Sequence, residues 1–167
     1  MNIVTNFAVV VGAVIAAVGV WVAVRTMKAD HERRKKQSTI EFYQEITSLT
    51  MPLREDINAI FGQNAAVNPA DAQLQKDVEL QKAIARYLST MERLAVGINA
   101  GVYDRDLYMR CAGRTTIDWF ERLTWLIKSK RSEGNRPWLY TDFESLVDEM
   151  REKYRQGAGK KTSLGIS

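Results

Sequence analysis

The sequence predicts an all-α protein, with a single N-terminal transmembrane helix followed by a cytoplasmic bundle of about four helices. Three observations predict it. From Met1 to Val24 no side chain is charged. The remainder repeats its apolar residues at three- and four-residue intervals, the spacing of one face of an α-helix. No stretch alternates apolar with polar residues as a half-buried strand would.

The membrane helix comes first. Phe7 to Val24 is an unbroken run of 18 apolar or glycine residues. As a helix it is about 27 Å long, close to the ~30 Å hydrocarbon thickness of a bilayer. A helix apolar on every face needs apolar surroundings on every side. A cleaved signal peptide would place Lys or Arg ahead of the run and small residues at its end. Neither is found, since the run ends Trp21-Val22-Ala23-Val24-Arg25, so retention as an anchor is expected. Ala8, Gly12, Ala16, Gly19 and Ala23 form a stripe of small residues along one side of this helix. Such a stripe suits a homo-oligomer packed through the membrane, although a segment rich in Ala, Gly and Val also produces one by composition.

The charge of the chain, +4 overall, is unevenly spread. Residues 25–36 hold Arg25, Lys28, Arg33, Arg34, Lys35 and Lys36 against Asp30 and Glu32, a net +4. Residues 151–167 add another +4, so the segment from Gln37 to Met150 sums to −4. A nucleic-acid binder carries its basic surface on the folded domain; this one does not, and no nucleic acid is expected as a partner. The basic cluster obeys the positive-inside rule and places the C-terminal domain in the cytoplasm, with the N-terminus outside. It is also in position to meet anionic lipid, at roughly 1 kcal/mol per basic residue. One cysteine, Cys111, excludes an intramolecular disulfide. The expected divisions are an anchor at 1–24, a basic juxtamembrane segment at 25–36, a bundle at 37–156 and a disordered tail at 157–167.

Within the bundle, Ile40, Tyr43, Ile46 and Leu49 recur every three residues and predict a helix that Pro52 interrupts. Thr50 is placed to cap a second helix with Leu53, Ile57, Ile60 and Phe61 on its buried face and Gly62 at its end. Asn68-Pro69-Ala70-Asp71 reads as the start of a helix reaching Ala100, with Ile84, Leu88, Met91, Ala95 and Ile98 as its stripe. Gly101 is expected in a left-handed cap, and Gly97 at a close approach. Asp104 caps the next helix, which runs to about Ser132 with Tyr108, Cys111, Thr115, Trp119, Leu123 and Leu126 along one side. Thr141-Asp142-Phe143-Glu144 matches a capping box, and Phe143, Leu146, Val147, Met150 and Tyr154 give the last helix its apolar face.

Few residues suggest chemistry. His31, the sole histidine, lies among juxtamembrane charges with no partner motif and reads as solvated. Cys111 falls on a predicted apolar face and reads as a small buried hydrophobe. No Glu-x-x-His pair, phosphate loop or nucleophile–base pair is present, so no metal, cofactor or catalytic residue is expected. Glu92 stands out because it sits beside the Leu88, Met91 and Ala95 stripe, where a carboxylate is costly unless paired. Arg122 and Arg131 on the following helix are its expected ion-pair partners.

The stretch Tyr87-Leu88-Ser89-Thr90-Met91-Glu92-Arg93-Leu94-Ala95-Val96-Gly97-Ile98, followed by Gly101-Val102-Tyr103-Asp104, resembles the bacterial and phage domain-of-unknown-function family 4760. Trp119, Arg131, Pro137, Tyr140, Phe143 and Leu146 continue the resemblance, which covers about Gln37 to Tyr154. Members often carry an N-terminal membrane helix. The resemblance therefore implies a bacterial inner membrane location and a helical fold, and supplies no activity.

Together these features point away from an enzyme. The expected function is that of a membrane-anchored helical interaction module that binds a protein partner at the inner membrane. Two other readings are a carboxylate and arginine effector or enzyme around Glu92, in a phage or phage-defence setting, and a small oligomeric membrane protein acting on the bilayer itself.

Overall fold

The computed structural model describes residues 3–63 and 65–163; the side chains of residues 3–11, 13, 14, 73 and 158–163 lie outside the description. The described residues form five helices and no strand: α1 (Ile3–Phe61), α2 (Ala72–Lys76), α3 (Val78–Asn99), α4 (Arg105–Glu133) and α5 (Thr141–Ser163). The second half of α1 joins α3, α4 and α5 in a bundle in which α3 and α4 each pack against both α1 and α5.

Helix α1 runs straight through Pro52 where a break is expected. Proline removes one backbone hydrogen bond and crowds the preceding turn, at about 3 kcal/mol. Its neighbours offset that cost. Ile46, Thr50, Leu53 and Ile57 are buried on both sides of it, while Pro52 itself faces solvent. The buried seam is Thr39, Tyr43, Ile46, Thr50, Leu53 and Ile57, spaced alternately by four and three. The three-residue spacing of Ile40 and Leu49 is not used, and both are exposed. Two seam positions are threonines, which is why an apolar count misses the register.

The Thr39 hydroxyl donates to the Lys35 carbonyl and accepts from the Asp104 amide, both at 2.7 Å. With Phe42 stacked on Tyr103 at 4.8 Å, this ties the α3–α4 turn to α1 where α1 enters the bundle. Gly101 adopts the left-handed φ of 77° that the turn requires, and Asp104 caps α4 by accepting from the Leu107 amide at 2.8 Å. Gly97 abuts the Tyr103 ring of the same turn rather than a neighbouring helix.

The long helix expected from Pro69 to Ala100 is divided. Asp77 caps α3, its carboxylate accepting from the Leu80 amide at 2.9 Å. Gln81 donates to the carbonyls of Leu74 and Gln75, satisfying the end of α2. Beyond this break the expected stripe holds, and Ile84, Leu88, Met91, Ala95 and Ile98 are all buried.

On α4 the expected Tyr108, Trp119, Leu123 and Leu126 are buried, and the departure lies at Cys111 and Thr115. Tyr108, Met109, Ala112, Gly113, Thr116, Trp119, Phe120 and Leu123 face inward, and Cys111 and Thr115 are exposed. The cause is Gly113. A Cβ there would stand 2.5 Å from the Tyr154 hydroxyl of α5, so the missing side chain lets α5 approach along that edge. Phe143, Leu146, Val147 and Met150 of α5 are fully buried. Helix α5 runs past Gln156 to Ser163, with Arg155 and Gln156 both bonded back to Glu152.

Before Thr39, α1 projects alone. Arg25 to Ser38 makes a stalk of about 21 Å whose residues are exposed except for the half-buried Lys35. N-terminal to it Ile15, Val18, Val20, Trp21, Val22 and Val24 are exposed. Among the described residues no helix is long and apolar enough to cross a membrane. The run from Phe7 to Val24 begins in residues whose side chains lie outside the description.

Candidate functional site

Glu92 is half-buried on α3 and turns toward the start of α5. Its carboxylate accepts from the backbone amides of Phe143 at 2.8 Å and Asp142 at 3.3 Å. The capping box expected from Thr141 and Glu144 does not form. The Thr141 hydroxyl donates to the Trp138 carbonyl, and Glu144 is drawn away to Arg131. Glu92 therefore caps α5 from another helix. The first amides of a helix lack intrahelical partners and carry partial positive charge, so a carboxylate is well placed there.

The expected ion pair of Glu92 with Arg122 or Arg131 does not form, because each arginine has other acceptors. Arg131 bonds Glu144 at 2.8 Å and the Leu139 carbonyl at 2.8 Å, bracing the turn that leads into α5. Arg122, 7% exposed, donates to the Ala65 carbonyl at 2.8 Å, the Gly62 carbonyl at 3.0 Å and Asn58 Oδ1 at 2.7 Å. All three acceptors are neutral. Burial pulls the Arg122 guanidinium below its ordinary pKa.

Arg122 opens onto a cluster that sequence reasoning missed. Its guanidinium lies 4.4 Å from the centre of the Trp119 ring, and that of Arg54 lies 5.5 Å from the same centre. The Tyr87 ring packs on Trp119 at 6.2 Å. Tyr108 completes the seam, bonded to Thr116 at 2.8 Å and edge-on to Tyr43. Thr50 Oγ1 and Arg54 Nε are enclosed without a hydrogen-bond partner among the described residues, and the enclosed Tyr87 hydroxyl lies against the Arg54 guanidinium. Unpaired buried polar groups are uncommon in folded proteins. The available signal was a threonine and an arginine four residues apart on α1, but only the fold shows that this face is enclosed.

Burial pushes Tyr87 up to about 12, with the nearby Arg54 charge and its hydrogen bonding to the phenol pulling the other way. Burial also raises Tyr108, against its bond to Thr116. Both phenols are held neutral in the folded state more strongly than in the unfolded chain. Their contribution to stability is whole below pH ~10, the ordinary tyrosine value, and is lost as pH rises through the folded pKa values. Thermal midpoints are therefore expected to fall steeply above pH ~10, in step with tyrosinate absorbance. Tyr87→Phe should flatten part of that fall; an unchanged profile would refute the burial of Tyr87.

The remaining sequence candidates stay apart from this cluster. Arg25, Lys28, Arg33, Arg34 and Lys36 are exposed along the stalk and Lys35 is half-buried, with Arg25 stacked against Trp21 at 5.3 Å. His31 is exposed there too. Gly12, Ala16, Gly19 and Ala23 are exposed on α1, while the Ala8 side chain lies outside the described residues. Among the described residues no three His, Cys, Asp or Glu side chains converge as a metal site would need.

A family model, that of the domain of unknown function DUF4760, matches residues 13–150 and thus begins inside the apolar run. No curated protein and no solved structure matches the chain.

Proposed function

The chain belongs to the DUF4760 family, and we propose that this member is a membrane-anchored helical module presenting its bundle to a protein partner at the inner face of a bacterial membrane. The observation that carries the reading is the exposed apolar surface before the stalk. Ile15, Val18, Val20, Trp21, Val22 and Val24 are 47–67% exposed, and contiguous apolar surface of this kind calls for lipid or a partner. Trp21 followed by Arg25 fits the aromatic and basic border of a membrane segment. The stalk, +4, is attracted to anionic lipid, whereas residues 37–150, −4, and residues 151–163 of α5, +4, leave the body as a whole neutral and without that attraction. The bundle is then held clear of the surface by about 21 Å of helix. On the bundle, Trp125 and Trp138 are 62% and 67% exposed, and exposed tryptophans are the residues most enriched at the centres of protein interfaces. The small-residue stripe gives the anchor a face suited to a second copy.

Cell fractionation tests the anchor. The full chain is expected in the membrane fraction and to resist high salt and alkaline carbonate, while a chain lacking residues 1–24 is expected to be soluble and folded. Release of the full chain by salt alone would reduce the attachment to electrostatics and sink the proposal. A reporter after Ser167 is expected to be active only inside the cell, and one before Met1 only outside.

A further inference from the structure

Building on the role of the chain as a membrane-anchored module, we propose that the end of its bundle around Trp125 and Trp138 binds an acidic segment of the partner protein. Helices α1 and α4 run parallel, since Thr39 bonds Asp104 at one level and Asn58 bonds Arg122 at another. Trp125 therefore lies about 31 Å further from the stalk than Asp104 does. Trp125, Lys128 and Ser132 are exposed on one outer face of α4, and the Lys128 ammonium lies 5.8 Å from the centre of the Trp125 ring. The chain then folds back over the last turn of α4. The Arg136 amide donates to the Arg131 carbonyl at 2.9 Å, and the Arg131 guanidinium donates to the Leu139 carbonyl at 2.8 Å. Trp138, between those two anchor points and 67% exposed, stands beside that turn.

Charge identifies the partner. Residues 125–138 hold Lys128, Lys130, Arg131 and Arg136 against Glu133, a net +3, whereas the rest of residues 37–150 sums to −7. Arg131 is paired with Glu144, and Glu133 is turned to Ser129. Lys128 and Arg136 have no carboxylate partner among the described residues. Two uncommitted cations beside two exposed indoles suit carboxylates that flank an apolar residue. A nucleic acid would also meet the acidic remainder of the body, and the membrane lies toward the opposite end of α4. The loop is moreover held in shape before anything binds. Tyr140 is buried with a left-handed φ of 60°, a conformation that a non-glycine residue keeps only where its surroundings impose it. Arg131 and Glu92 impose it here, through Glu144 and through the amides of Asp142 and Phe143. Trp138 is thus presented on a fixed backbone, which lowers the ordering cost of binding.

The test uses the full chain in native membranes, carrying the photo-crosslinker p-benzoylphenylalanine in place of Ser132, or in place of exposed Val96 at the stalk end as a control. After illumination the cross-linked peptides are sequenced by mass spectrometry. The crosslinker at 132 is expected to capture a protein segment in which Asp and Glu outnumber Lys and Arg, and the one at 96 is not. Trp138→Ala should lower the yield at 132 about tenfold or more, as loss of an interface anchor does. Lys128→Glu should lower it as well, and so should rising salt. Both variants should fractionate and melt as the unmodified chain does, since each alters an exposed side chain. No adduct at 132, or an adduct on a segment without an acidic surplus, on a second copy, on nucleic acid or on lipid, would overturn the proposal and leave the anchored module standing. So would a yield that ignores both Trp138→Ala and Lys128→Glu. Absence of the chain from the membrane fraction would instead overturn the anchored module, and this surface with it.

Discussion

Arg122→Ala is expected to destabilise the bundle by about 3–5 kcal/mol, set by the loss of three hydrogen bonds from a charged donor to acceptors that are left partly enclosed. The side chain makes three hydrogen bonds from one planar group. Two of them hold the carbonyls of Gly62 and Ala65, and the Val67 amide bonds back to the Arg122 carbonyl at 2.8 Å. The connection between α1 and α2 is therefore fastened to α4 chiefly at this residue. Its stacking on Trp119 contributes about 2 kcal/mol more when desolvated, and truncation leaves a void beside the ring. Some of the loss is recovered, because the Gly62 carbonyl lies in an exposed segment where water can replace the guanidinium. Arg122→Lys should recover little, since a point charge cannot reach three divergent acceptors. Hydrogen exchange resolves the local effect from the global one: amides of residues 65–76 should open before those of α3. A loss under about 1 kcal/mol would mean that Val67 and Leu74, both buried, hold the segment by themselves.

Glu92→Ala is expected to cost about 2–3 kcal/mol, set by two hydrogen bonds to a charged acceptor at a partly buried helix terminus. This is less than the loss of a buried ion pair would bring, because the amides of Asp142 and Phe143 can turn to water at the edge of the bundle. Glu92→Gln should retain about half the effect, keeping one carbonyl oxygen in reach and losing the charge. The two substitutions also separate cap from site. A cap predicts that both shift the midpoint in proportion and expose the first turn of α5 to exchange. A binding residue predicts an unchanged midpoint with lost cellular function. Asn99, which donates to Asp142 at 2.9 Å, steadies the same turn, so Asn99→Ala combined with Glu92→Ala should be less than additive.

Much of this molecule was legible in its sequence. The helical class, the stripe of α3, the turn at Gly101 and Asp104, the end of α1 at Gly62 and the family follow from local rules. Apolar period, positive φ and a capping side chain act within a few residues of one another, so adjacent letters record them. The uncharged run before Arg25 and the basic residues after it are equally local.

What the tertiary structure decided is of another kind. Pro52 remains within a helix because buried residues on both sides outweigh its cost, and burial is a property of neighbours from other elements. Cys111 turns outward because Gly113 admits Tyr154 from α5, a residue far along the chain. Glu92 finds backbone amides rather than an arginine, and no sequence spells out where unbonded amides will lie. Arg122 takes carbonyl oxygens for the same reason. Thr50, Arg54 and Tyr87 become a cluster only when two helices close over Trp119. Spacing along a chain determines which side chains share a face; what each polar group on that face meets is set by how the faces come together.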